Sequence, residues 1–346
     1  MNAATIHGLR DIRIEDLPEP VPGPGQLLVR VMAAGICGTD LEIYAQEHPA
    51  YRTGRARFPI IPGHEWAGEV MAVGPEVTRF RPGDRVTSEV AIGCGQCETC
   101  MSGRENICPD RREFGIIERP GAFAEFTVTD EDRTHSIGAL SFEEAALLEP
   151  ATVAVRAVRL AEVEPGDKVA ILGSGSIGLL AVQAAKAAGA GLVLATDLVD
   201  AKLELAQRLG ADLTANPSRQ DIARTRREST GDSGFNAVIE AAGSPDALSD
   251  AFELVAAAGR IVISGVFGGS TYPLDPDRIV GGELVIRGTV GGHGVWEETI
   301  RLVSAGTIRT APLISDVMPL SQVQEAFQSA SAQRPDVVKL LLNPQE

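Results

Sequence analysis

At 346 residues the chain is too long for one ordinary hydrophobic core, which predicts two domains. Hydrophobic residues make up 44% and charged residues 23%, so there is enough apolar content to fold and no polar tract that must stay disordered. The 47 acidic and 31 basic residues leave a net charge of −16, which argues against a nucleic-acid or anionic-membrane surface, both of which need clustered cations.

The opening stretch "MNAATIHGLRDIRIED" has no basic start leading into an apolar run, and no apolar stretch reaches the roughly 18 residues of a membrane span. A cytoplasmic location is expected. Five cysteines in that reducing compartment point to metal ligands or catalytic groups rather than a disulfide framework.

Up to about residue 150 the runs "QLLVRVMAAG", "WAGEVMAVG" and "GDRVTSEV", bounded by Gly and Pro, predict a barrel-like β domain. Within it "GICGTD" sets Cys37 between two glycines, with Thr39 and Asp40 behind it. Alone, such a cysteine is a packed thiol, a nucleophile or a metal ligand. "PGHEWAGEV" adds His64 and Glu65 after a Pro-Gly turn, and "LLEPATVAV" puts Glu149 at the expected domain junction. Thiolate, imidazole and carboxylate together make a zinc set with room for water or substrate.

"CGQCETCMSGRENIC" spaces Cys94, Cys97, Cys100 and Cys108 as C-x2-C-x2-C-x7-C. Four thiolates so close together close a tetrahedral zinc site with no open position, which makes it structural. An iron–sulfur cluster is the rival reading, but the chain lacks a second cysteine group and a proline after a close-set fourth cysteine.

From about residue 153 strands and helices alternate: "DKVAILG", "SIGLLAVQAAKAAGA", "GLVLATD", "DAKLELAQRLGA", "NAVIEAAG", "GRIVISG" and "ELVIRGTV". This predicts a doubly wound parallel sheet. "ILGSGSIGLL" places Gly173, Gly175 and Gly178 in G-x-G-x-x-G spacing between strand and helix, the fingerprint of a pyrophosphate turn. Asp197 ends the next strand, where a carboxylate accepts from a ribose 2′-hydroxyl and selects NAD; the other reading is a cap for the following helix. Lys202 lies further along as a weaker partner for a 2′-phosphate, and Arg224, Arg226 and Arg227 read as a solvated helix face. The last sixty residues hold a helix near "LSQVQEAFQSA" and a final strand "DVVKLLLN".

Taken in order, "GICGTD", "GHEWAGEVMAVGPEV" with Gly63, Gly68, Gly74 and Val77 around His64 and Glu65, "RPGDRV", the four-cysteine lobe, Glu149-Pro150 and "GSGSIGLL" resemble the zinc-dependent medium-chain dehydrogenase/reductase family, in particular its polyol (sorbitol-type) branch. The resemblance covers essentially the whole chain. It implies an α/β fold in which a GroES-like β-barrel catalytic domain, residues 1–152 and 290–346, is split around a Rossmann domain, residues 153–289, with the active site in the cleft between them.

It further implies that Cys37, His64 and Glu65 bind a catalytic zinc, with Glu149 as a fourth or water-bridged ligand, and that Thr39 relays the substrate proton. The implied cofactors are two zinc ions per chain and NAD. Expected NAD contacts are Gly173, Gly175, Ser176, Ile177, Gly178, Asp197, Lys202, Ala242, Gly265, Val266 and Thr289. Family members are usually dimers or tetramers, so a homodimer or homotetramer is expected. The implied reaction is reversible hydride transfer from a secondary alcohol of a polyol or diol to NAD+, giving a ketone.

Rival readings are an aldose 1-dehydrogenase, a simple alcohol dehydrogenase, or a non-catalytic NAD-sensing protein with structural zinc. Glu42 and Arg156 stand where the related branch often has His, and Glu42 keeps an aldose substrate open. "GGHGVW" at 291–296 replaces an aromatic stretch, and its His293 reads as a surface or interface residue. Asp40 reads as a carboxylate that orients His64, while His7, His48 and His135 read as ordinary surface histidines.

Overall fold

The computed structural model describes residues 1–332 and 334–346. The chain divides into two units: Met1–Glu149 with Trp296–Ser304 and Thr310–Glu346, and Pro150–Val295 with Ala305–Arg309. Both this first crossing and that of the expected division, 1–152 and 290–346 around 153–289, fall inside the helix Leu148–Leu160. The second falls at Trp296, where the helix Trp296–Ser304 begins. A helix can carry Pro150 at its third position because the first N–H groups of a helix have no internal partner to lose.

In the first unit the ten-residue strand Gln26–Gly35 organises a seven-stranded sheet. Its residues are almost continuously buried, as expected of a strand covered on both faces. Strand Glu65–Val73 runs antiparallel along one side, with Gly35 opposite Glu65 and Ala34 opposite Trp66. On the other side the C-terminal strand Lys339–Asn343 pairs antiparallel near the same end, with Leu341 opposite Gly35. Three segments far apart in sequence therefore finish side by side, and Cys37, Glu65 and Lys339 lie at those ends. Trp66, Val70, Phe114, Phe123 and Phe327 pack the core beneath them.

In this unit His135 is no ordinary surface residue. Its ring stacks on Trp296 at 5.0 Å and 3°, and its two nitrogens stand 3.2 Å from carboxylate oxygens of Glu89 and Glu297. His7 lies 3.1 Å from Glu15 on the paired strand.

The second unit is a six-stranded parallel sheet in the order Leu213–Ala215, Leu192–Thr196, Lys168–Leu172, Phe235–Glu240, Val255–Ile263, Val285–Gly288. That is the doubly wound order, in which the sequence runs outward from one central strand in both directions. Ala170, Leu172, Leu194, Val238 and Ile261 fill the sheet's core. The basic stretch lies on helix Ile222–Thr230, where Arg224 pairs with Glu228 in solvent. Among the described residues no helix is long and apolar enough to cross a membrane.

Candidate functional site

Strand Gln26–Gly35 ends just before Cys37, which opens the helix Gly38–Tyr44, and His64 immediately precedes strand Glu65–Val73. The fully buried Asp40 ties the two loops together: its Oδ2 accepts from the Cys37 N–H at 2.9 Å and its Oδ1 from the Gly63 N–H at 3.1 Å. Oδ1 also stands 3.5 Å from His64 Nδ1, an ion-pair distance. Asp40 thus holds the backbone that carries the ligands as much as it orients the imidazole.

One ligand atom from each of Cys37, His64 and Glu65 lies within 4.8 Å of the others. His64 and Glu65 are buried, with Asp40 Oδ1 facing His64 Nδ1 and Lys339 Nζ 2.7 Å from Glu65 Oε2. Burial works to lower the His64 pKa, but the Asp40 carboxylate and Cys37 outweigh it and hold it well above the usual histidine value. The set of soft sulfur, imidazole nitrogen and carboxylate oxygen is chemically suited to a divalent cation.

Glu149, in the first turn of its helix and 7% exposed, lies outside that close set. Burial pushes its carboxyl up to about 7, with His64 pulling it down and Glu65 pushing it up. Thr39 sits two residues beyond Cys37 in the same helix, half-buried. Glu42, on the next turn, is raised above the usual Glu range by burial and by Glu47.

Two neighbours of this site escape a reading of the sequence. Lys339, 3% exposed, donates from Nζ to Glu65 Oε1 at 2.8 Å and to the Ile36 carbonyl at 3.0 Å. Burial alone would lower its pKa, yet Glu65 and Cys37 raise it above the ordinary lysine value. Its signal in the sequence is a single charge inside the apolar run "DVVKLLLN". His48 is half-buried rather than an ordinary surface residue, and it accepts from the Ala50 N–H at 3.3 Å at the start of a short helix. Burial lowers its pKa, while Glu113 raises it and the field of His64 lowers it further.

The second cysteine group also converges. Cys94 and Cys100 sulfurs are 3.9 Å apart and those of Cys97 and Cys108 are 3.7 Å apart. Four thiolates about 2.3 Å from one zinc ion would stand about 3.8 Å apart, so the lobe has the dimensions of a closed tetrahedral site. Backbone N–H groups of Cys94 and Cys100 point at Cys108 and Cys97 sulfurs at 3.5 Å. The Cys100 N–H brings the Cys97 thiol down to about 6, favouring the thiolate that a metal needs.

In the second unit the three glycines differ in the manner the fingerprint requires. Gly173 has φ +94°, a β-carbon on Gly175 would meet nothing within 4 Å, and one on Gly178 would lie 1.7 Å from the Gly173 carbonyl oxygen. The turn, the open approach and the close helix packing are each accounted for. Asp197 follows strand Leu192–Thr196; its Oδ2 accepts from the Ser174 N–H at 2.7 Å and its Oδ1 from the Val199 N–H at 2.9 Å.

Ser176 and Ile177 begin the helix after the turn, and Lys202 lies half-buried on helix Asp200–Arg208. Ala242, Gly265, Val266 and Thr289 stand just beyond the carboxyl ends of three neighbouring strands, where ligands of such sheets bind. Glu240, unnoticed in the sequence, is fully buried there and accepts from the N–H groups of Ala242 and Gly243 at 2.9 and 2.7 Å. Arg156 donates to the His293 carbonyl, which anchors the 291–295 segment to helix Leu148–Leu160.

Comparison with known proteins matches each of the two units to a family domain. Residues 23–139 match the alcohol dehydrogenase GroES-like domain, and residues 176–305 match the zinc-binding dehydrogenase domain. The chain is 37% identical to the sorbitol dehydrogenase of Bacillus subtilis (strain 168) over 347 residues, covering 99% of this chain and 97% of that one. It is 35% identical to the L-threonine 3-dehydrogenase of Saccharopolyspora erythraea, with 93% of each covered. Among solved structures, a candidate zinc-binding dehydrogenase from Sinorhizobium meliloti 1021 bound to NADP superimposes with a TM-score of 0.93 at 33% identity, covering 99% of both chains.

Fold and site thus define a two-part dehydrogenase, a catalytic GroES-like unit joined to a Rossmann unit. The chain belongs to the zinc-dependent medium-chain dehydrogenase/reductase family and is an NAD(P)-dependent oxidoreductase.

Proposed function

We propose that this chain oxidises a secondary alcohol of a polyol or diol to the ketone, reversibly, with NAD+ as hydride acceptor. The observation that carries the reading is the convergence of Cys37, His64 and Glu65, with one ligand atom of each within 4.8 Å of the others in the first unit. A zinc ion held there, with Glu149 as a fourth or water-bridged ligand, supplies Lewis acidity toward the substrate hydroxyl. Asp40 fixes the ligand-bearing loops, and Thr39, close behind Cys37, takes the hydroxyl proton and passes it outward. The likeness to sorbitol dehydrogenase supports a polyol over an aldose or a simple alcohol.

NAD is the preferred dinucleotide. Asp197 stands beside the open Gly175 approach, where its negative charge opposes a 2′-phosphate. Arg219, a cation brought near the start of the following helix, is committed to Asp200 at 2.6 Å. The residues Gly173, Gly175, Ser176, Ile177, Gly178, Ala242, Gly265, Val266 and Thr289 line the remainder of the dinucleotide path in this reading, and Lys202 flanks the ribose.

A second zinc in the Cys94, Cys97, Cys100, Cys108 lobe is structural. The protein works in the cytoplasm as a homo-oligomer, a placement supported by five cysteines outside any disulfide and by Val280, Val285 and Val290, exposed along and beside an edge strand. The test is metal analysis with a substrate panel. Two zinc ions per chain, one removed by chelator with loss of activity, and NADH formation from polyols or diols in preference to aldoses, short alcohols and L-threonine are expected. One tightly held zinc, or no reduction of NAD+ or NADP+ with any hydroxyl substrate, would refute the reading.

A further inference from the structure

Lys339 is a charged side chain with no place in the mechanism above, yet it is 3% exposed and lies against the metal triad. Its Nζ stands 2.8 Å from Glu65 Oε1 and 2.7 Å from Oε2, so it fills the notch between the two oxygens. It also donates to the carbonyl of Ile36, the residue before Cys37. From the C-terminal strand, one ammonium group thus clasps the ends of both strands that bear the ligands.

Charge bookkeeping explains why a cation is needed there. With a metal bound, Cys37 as thiolate together with Glu65, Asp40 and Glu149 can put up to four negative charges around the His64 imidazole. A divalent ion offsets two of them, and desolvated carboxylates left without a counter-charge are strongly destabilising.

We infer that Lys339 is a built-in counter-ion that competes with the metal for Glu65. It occupies the notch between the carboxylate oxygens, restricts Glu65 to one-oxygen attachment, and keeps the unit folded when the metal is away. This rests on the proposed metal centre and adds a positioning residue to it. A residue that only supported the ligands would strengthen metal binding, whereas a competing cation weakens it, so the sign of the effect separates the two roles.

The experiment is zinc affinity by chelator competition on the full chain, for wild type, Lys339→Met and Lys339→Gln. Zinc in the four-cysteine lobe serves as an internal measure of folding. Both neutral variants are expected to hold the triad zinc about tenfold or more tighter, the order exerted by a unit charge a few ångströms from an ion at protein-like dielectric. Both are also expected to unfold more readily than wild type once that zinc is removed. Unchanged or weaker zinc affinity would overturn the inference, as would failure of both variants to fold with zinc supplied, because the ion should replace the missing charge. Wild type that binds no zinc outside the four-cysteine lobe would instead sink the metal centre itself.

Discussion

Gly35 and Glu65 face each other across two antiparallel strands so closely that a β-carbon at position 35 would lie 2.4 Å from Glu65 Oε2. The glycine is required by the carboxylate, not by a turn. Gly35→Ala is expected to push Glu65 off its position and to lower kcat/KM by roughly 10- to 100-fold, the range found when the support of a metal ligand is lost. Zinc content of the triad and steady-state rates measured together check this, and full activity at full zinc content would contradict it.

The four-cysteine lobe should act on stability and not on chemistry. Cys108 is fully buried in the lobe, so Cys108→Ser is expected to cost one zinc per chain and about 4 kcal/mol, at the large end of single-substitution effects. Thermal unfolding and metal analysis read both quantities. A variant that kept its stability but lost turnover would place the lobe in the catalytic cycle instead.

At the dinucleotide turn, Asp197 already accepts two backbone N–H groups with its carboxylate and keeps further lone pairs for a ribose. Asp197→Ala is expected to raise KM for NAD by roughly 10- to 100-fold, the scale of a lost hydrogen bond to a charged group, and to leave KM for NADP much less changed. Asp197→Asn, which keeps one acceptor oxygen, should fall between the two. An unaltered ratio of the two KM values would remove Asp197 from cofactor choice.

Glu240 gives a pH dependence whose sign follows from its surroundings. Burial raises its pKa above the ordinary 4.5, and the N–H groups of Gly243 and Ala242 only partly offset this. A carboxyl raised in the folded state contributes stability that is full below 4.5 and is lost as pH rises through the folded value. Glu240→Gln should therefore gain on wild type in denaturant midpoint as pH increases from about 4.5 toward neutrality. A difference between the two proteins that stays constant across that window would show that the carboxyl is not perturbed.

How much of this was legible in advance depended on the range of the interaction. The glycine turn and the cysteine lobe could be read because each is made by residues within a few positions of one another, where backbone geometry and metal-ligand spacing leave few options. His48 and His135 read as surface residues because what surrounds them comes from elsewhere: burial and Glu113 in one case, Trp296, Glu89 and Glu297 in the other.

By itself, the sequence determined the order of elements, the dinucleotide turn and the identity of the metal-binding residue types, since these follow from periodicity and from chemistry confined to short segments. Only the tertiary structure decided that Lys339, 274 residues from Glu65, lies against its carboxylate, that Gly35 makes room for that carboxylate, and that Glu149 stays outside the tight triad. The physical reason is that strand pairing sets which distant charges share a desolvated pocket, and no local pattern records that partnership.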